Sequence, residues 1–233
     1  MSKKILVVLT NTAKYPEVKR ATGLWLGEAV HFVDIVQQAG FTVDYVSPAG
    51  GYVPIDPHSL QMAPDLDWQY YDDKTFMNRL GTTHSPGQVD PRDYCAIYYS
   101  GGHGVMWDFP DNPALQDLAR SIYEKGGVVA AVCHGVVGLL NIKLSDNRLL
   151  LKDQLVTGFS NTEEKLAELD HAVPFLTETE LGARGGKYIK ADDPWQSFVV
   201  GDERLITGQN PASTEALAAA VVQAIKRGKD LTE

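Results

Sequence analysis

A chain of 233 residues, 44% hydrophobic and 22% charged, has the makeup of an ordinary soluble globule and can bury a core without disulfides or a structural metal. Its formal net charge of -9, with no basic cluster, argues against nucleic acid and anionic membrane surfaces as partners. Two cysteines, Cys95 and Cys133, make no disulfide framework, and no apolar stretch of about 18 residues offers a membrane span, so the expected compartment is the reducing cytoplasm.

The opening "MSKKILVVLT" has an apolar run too short for a secretory signal and reads as a first buried strand over 5–10. Ala29, Val30, Val33 and Val36 share one face of a helix over 24–39, which Gly40 stops. "FTVDYVSP" reads as a second strand. The segment from about 56 to 93 is rich in Asp, Pro, Tyr and Trp, has no clear period, and reads as an insertion beside the sheet. "YCAIYYS" is a third strand, ending in the loop "GGHGVMWDFPDN". Leu115, Leu118, Ala119 and Ile122 then follow at helical spacing, with Asn112 as cap and Pro113 in the first turn. Val128 to Val132 is a buried strand. "LLLKDQLVTGFS" reads as a connection and a strand, "SFVVGDERLITG" as a hairpin, and a final helix follows "QNPAST". Strands separated by helices give an α/β fold in one domain over 1–233, and sites in such sheets lie at the carboxyl ends of strands.

At that edge stands "AVCHG", where Cys133 ends a strand with Ala131 two residues before it and Gly135 two after. Small neighbours at these spacings suit a nucleophile elbow, a tight strand-to-helix turn. A helix starting after Cys133 is expected to point its N–H groups at the sulfur and favour the thiolate. The His134 N–H, and a second one from Gly102, would then bind an oxyanion, while the His134 ring is the candidate base. His103 either orients the glycine loop or lines the pocket. Cys95, inside "YCAIYY", reads as packed, and His31 as a structural histidine. His58, His84 and His171 show no ligand spacing. No metal-site, dinucleotide or Walker pattern is present, so neither a dedicated metal nor a nucleotide is expected.

The segments "GLWLGEAVHF", "GFTVDYVSPAGGYVPIDPHSL", "YYSGGHGVMWDFPDN", "GGVVAAVCHGVVGLL", "VTGFSNTEE" and "RLITGQNPAS" resemble the ThiJ/PfpI superfamily, in its glyoxalase III-like heat-shock chaperone branch. The resemblance implies a flavodoxin-like fold, with a mostly parallel sheet sandwiched by helices. It also implies that Glu28 approaches Cys133 and is protonated, because a carboxylate beside a thiolate would set two negative charges together. It matches His134 to the family's histidine, Glu164 or its neighbour Glu163 to the acid behind that histidine, Gly102 and His134 to the oxyanion-binding positions, and Trp195 to the pocket mouth. Val136 departs from the proline common in the family. The metal cluster of larger members has no evident counterpart here.

The implied activity is cofactor-independent conversion of methylglyoxal to D-lactate through a Cys133 hemithioacetal, without glutathione, by a Cys-His-Glu triad. Deglycation of glycated proteins is a related possibility, and homodimers are the rule in the family. Other readings are a stress-response holding chaperone for unfolded chains, a cysteine redox sensor, and a cysteine-dependent peptidase or hydrolase.

Overall fold

The computed structural model describes residues 3–230. Its centre is a six-stranded sheet in the order β2-β1-β3-β4-β8-β7, formed by β1 (Lys4–Val8), β2 (Thr42–Val46), β3 (Tyr94–Tyr99), β4 (Val128–Val132), β7 (Val199–Gly201) and β8 (Leu205–Gly208). Five strands run parallel, and β7 closes one edge antiparallel to β8. A mostly parallel sheet with helices on its faces is the expected class.

The first strand shows why the sheet is covered on both sides. Ile5 and Val7 belong to one buried cluster with Ala29, Val33, Leu217 and Val221. Leu6 and Val8 belong to a second with Leu115, Ala119 and Ile122. Alternate side chains thus enter different layers, which is why the strand is apolar throughout rather than every second residue. Helices α1 (Leu26–Gln38) and α9 (Thr214–Asp230) cover the first face, and α6 (Pro113–Glu124) the second. Helix α6 starts as its sequence suggests, with the Asn112 side chain accepting from the Leu115 N–H at 3.0 Å. No helix among the described residues is long and apolar enough to cross a membrane.

Three sequence expectations need correction. Residues 56–93 hold α2 (Pro57–Gln61), α3 (Asp65–Asp72) and α4 (Lys74–Gly81). These helices are too short to display a period, and α2 and α4 are set instead by caps: Asp56 accepts from the His58 N–H, and Asp73 from the Thr75 N–H. Only Leu155–Val156 of "LLLKDQLVTGFS" is a strand, β5, pairing with β6 (Lys187–Tyr188) in a separate two-stranded sheet. Its neighbours are held otherwise, since Asp153 lies at φ 65° and the Thr157 N–H donates to the Thr207 hydroxyl. Finally, Cys133–Leu139 is a 3-10 segment, not an α-helix. Two glycines and two valines in "CHGVVGL" are poor helix formers, and the tighter winding results. Of the three remaining α-helical segments after β3, α5 (Val105–Asp108) and α7 (Asn161–Leu166) flank the carboxyl edge, and α8 (Thr177–Ala183) packs on the 3-10 segment.

Candidate active site

Cys133 is the first residue beyond β4, and its backbone is left-handed at φ 57°. A side chain that carries a Cβ rarely adopts this conformation, and such strain collects at functional turns. The turn is possible because Gly135 passes directly under β3, where a Cβ would come 2.4 Å from the Tyr99 carbonyl oxygen. Gly102 makes a second close passage: its φ is 103°, and a Cβ there would meet the Gly23 carbonyl oxygen at 2.3 Å. The loop after β3 and the loop before α1 can therefore touch, and the Trp25 N–H donates to the Gly101 carbonyl at 3.1 Å.

That contact fixes the start of α1 and with it Glu28, which is fully buried. Its Oε2 accepts from the Gly101 N–H at 2.6 Å, and the carboxyl also interacts directly with Cys133. Oε1 lacks a hydrogen-bond partner of good geometry among the described residues. Burial raises the Glu28 pKa to about 8, so the group is largely protonated at pH 7. Burial also pushes the Cys133 thiol well above its ordinary value. The Glu28 charge adds to that rise, while the His134 N–H pulls the other way. Only a short 3-10 segment, not an α-helix, stands behind the sulfur, so little helix dipole is available to offset that rise.

His134 stands on the other side of Cys133. His134 Nδ1 lies 3.4 Å from Sγ, and His134 Nε2 lies 2.6 Å from Glu164 Oε2. Glu164 Oε1 is 2.7 Å from His103 Nε2, so one carboxylate serves two imidazoles whose ring centres are 4.0 Å apart. Burial alone would raise the Glu164 pKa, but His134 and His103 outweigh it and hold the group well below the usual carboxylate range. Burial and the neighbouring His134 lower that of His103. His103, His134 and Glu164 are close enough to share an ion, and both histidines hydrogen-bond to Glu164.

Glu163 lies in a different environment. It reaches back to the Ser160 N–H, while its Oε1 accepts from the Trp195 N–H at 2.9 Å, Gln209 Nε2 at 3.0 Å and Asn210 Nδ2 at 2.8 Å. The two glutamates were distinguishable in the sequence: Ser160 to Glu163 spells the S-x-x-E capping box, which assigns Glu163 to the cap and frees Glu164.

A cavity of about 480 Å³ opens over Cys133, His134, His103 and Gly102. Trp195, half exposed at φ 65°, lines its wall. Sequence reasoning missed Phe159, whose ring is 4.3 Å from His134, and Tyr15, which packs 5.7 Å from His103. Phe159 stood in the quoted "TGFS" but read only as a strand residue. Tyr15 gave no signal. Cys95 is far from this site, against the Lys4 carbonyl in the lower sheet.

The DJ-1/PfpI family pattern matches residues 20–224. The chain is 34% identical to the glutathione-independent glyoxalase HSP31 of Saccharomyces cerevisiae, over 96% of this chain and 98% of that one. The Francisella tularensis Rapid Encystment Protein 24 KDa has a similar structure, with 38% identity, a TM-score of 0.92, and 97% and 99% of the two chains covered. Glyoxalase III from Candida albicans superimposes with a TM-score of 0.86 at 29% identity, over 95% of this chain and 96% of that chain. By the span of the match and the identity of these relatives, the chain belongs to the DJ-1/PfpI family.

Proposed function

We propose that this protein is a glutathione-independent glyoxalase that converts methylglyoxal and water to D-lactate. The observation that carries the reading is a strained cysteine on the cavity wall with an imidazole nitrogen 3.4 Å from its sulfur and a fully buried, protonated acid behind it. The likeness to yeast proteins named as glyoxalases supports the choice of substrate.

The ionised Glu164 accepts a hydrogen bond at His134 Nε2, so the ring proton sits there and Nδ1 is left as the base. Nδ1 takes the thiol proton, and the sulfur adds to the aldehyde carbon. Glu28 stays protonated beside the sulfur, so no second negative charge opposes the thiolate. The alkoxide is received by the N–H groups of Gly102 and His134 and then protonated, which gives the hemithioacetal. His134, neutral again, moves the proton of the former aldehyde carbon to the neighbouring carbon through an enediolate. The product is a thioester of lactate, and water cleaves its C–S bond. One carbon is oxidised and the other reduced, so no redox cofactor takes part.

The test is D-lactate formation from methylglyoxal without glutathione. Wild type and Cys95→Ala should agree within about twofold, whereas Cys133→Ala should fall to the uncatalysed background, a loss of at least about 10³-fold. D-lactate from Cys133→Ala at the wild-type rate, or none from wild type, would overturn the reading.

A further inference from the structure

Resting on that glyoxalase reading, we infer that the site is built for a 2-oxoaldehyde whose ketone carbon carries a neutral aromatic substituent, larger than the methyl group of methylglyoxal.

The first reason is volume. At about 30 Å³ per water-sized group, the few heavy atoms of methylglyoxal displace on the order of 100 Å³. The cavity over Cys133 holds about 480 Å³. A three-carbon substrate would leave most of it filled with water, and that water would compete for the polar donors at the reacting carbon.

The second reason is the wall. Trp25, Met62, Phe159, Leu166, Leu169 and Trp195 line the cavity beyond the reacting groups. Met62, Leu166 and Trp195 remain exposed at the rim although each is large and apolar, as expected of surface kept for a ligand. Aromatic contacts also run outward in sequence from the chemistry: His134 to Phe159 at 4.3 Å, then Phe159 to Trp195 at 5.6 Å. An aryl group on the ketone carbon would lie along this track while its aldehyde carbon met Cys133, and ring–ring contact would add to the area buried. Trp195 is fixed there by its own backbone, because its N–H donates to the buried Glu163.

The third reason is charge. The other ionisable groups on the wall are Asp56, His58 and Arg20. Asp56 is occupied, one oxygen by the Thr22 hydroxyl at 3.0 Å and the other by the His58 N–H at 2.8 Å. The His58 ring stands edge-on to Trp25 at 5.6 Å. Arg20 is solvent-exposed, with its guanidinium over the Tyr15 ring at 5.9 Å. Nothing buried on the wall asks for an ionised substituent.

The reaction balances as for methylglyoxal. The C–S bond forms at the aldehyde carbon, its hydrogen moves to the ketone carbon as a proton with the electron pair following through the enediolate, and water releases the 2-hydroxy acid. With phenylglyoxal as the probe, the product is mandelate.

Initial rates with phenylglyoxal and methylglyoxal, read as mandelate and lactate, test the inference in wild type, Trp195→Ala and Leu166→Ala. Wild type should favour phenylglyoxal in kcat/KM by about tenfold or more. The exposed Trp195→Ala change should shrink that ratio about five- to tenfold, mainly through the KM for phenylglyoxal, and Leu166→Ala should shrink it less. Equal or better use of methylglyoxal by wild type, or a loss in Trp195→Ala that is the same for both substrates, would overturn this inference and leave the glyoxalase reading standing. Absence of hydroxy acid from both substrates would overturn both.

Discussion

Two buried glutamates reach the elbow from different helices, and their environments drive them to opposite charge states. Glu28, from the first turn of α1, meets one backbone N–H and a thiol, and burial raises its pKa to about 8. Glu164, from α7, meets two imidazoles, which overcome the same burial and keep it ionised. Neither outcome follows from being a glutamate in a core. It follows from whether the partners can carry positive charge: two imidazoles can, whereas a thiol and a backbone N–H cannot, and their hydrogen bonds alone do not offset the burial. In the proposed mechanism, a neutral acid beside Cys133 and an anion behind His134 is the separation that would let one small site both add a thiolate and shuttle a proton.

The sharpest way to break the comparison is to make both groups neutral amides. Glu164→Gln keeps the shape of the side chain but removes the charge that fixes the His134 tautomer, so kcat should fall on the order of 10²–10⁴-fold. Glu163→Gln is the control one residue away. Its carboxylate accepts four hydrogen bonds and touches neither histidine. An amide would set NH₂ against one or more of those donors, so the variant should lose about 1–3 kcal/mol of stability while keeping most of its kcat. If the two variants exchanged phenotypes, Glu164 would be the structural residue and the assignment would fail.

The next effect is on stability, and its sign is opposite to that of an ordinary carboxylate. The folded pKa of Glu28 is raised from 4.5 to about 8. Its contribution is therefore fully present below about pH 4.5 and is lost as pH rises towards and through 8. Glu28→Gln has no proton to lose. In urea titrations the variant should match wild type near pH 4.5 and become the more stable protein by pH 8, by on the order of 2–4 kcal/mol. A gap that does not change with pH would mean that Glu28 is ionised in the folded protein. It would also remove the reason for a proton held beside Cys133.

What could be read from the sequence divides along the same line. Local features were legible: the strand before Cys133, the glycines that let the turn close, the Asn112 cap, and Glu28 once the resemblance had pointed to it. The charge states were half legible. A carboxylate beside a thiolate must hold a proton, which requires only adjacency, but the raised thiol pKa depends on how completely the site is buried and on a 3-10 segment that mimics a helix in sequence. Residues 56–93 hid three helices because each spans only one or two turns, too few for a period. The aromatic wall of Phe159 and Trp195 joins positions 36 apart, and nothing in either local sequence signals the meeting.

A third acid–histidine contact, outside the cavity lining, gives the smallest effect and the cleanest check of the electrostatic argument. His31 joins three helices: from α1, its Nε2 lies 3.1 Å from Asp67 Oδ1 on α3 and its Nδ1 lies 2.8 Å from Glu215 Oε1 on α9. Asp67 raises its pKa, burial opposes, and Glu215 adds to the rise. The stabilisation is full below His31's ordinary pKa of about 6.5 and fades as pH climbs through the raised value. Asp67 is buried and Glu215 is largely exposed, so Glu215→Gln weakens the pair without leaving a buried charge alone. The variant should be less stable than wild type by about 0.5 kcal/mol near pH 6. The gap should narrow towards pH 9 and shrink in high salt, because the contact is partly solvated. The part that persists at pH 9 is the interaction of Glu215 with the amino end of α9, where it occupies the first turn. A gap that stayed constant from pH 6 to pH 9 would show His31 to be neutral in the fold, a structural contact held by hydrogen bonds alone.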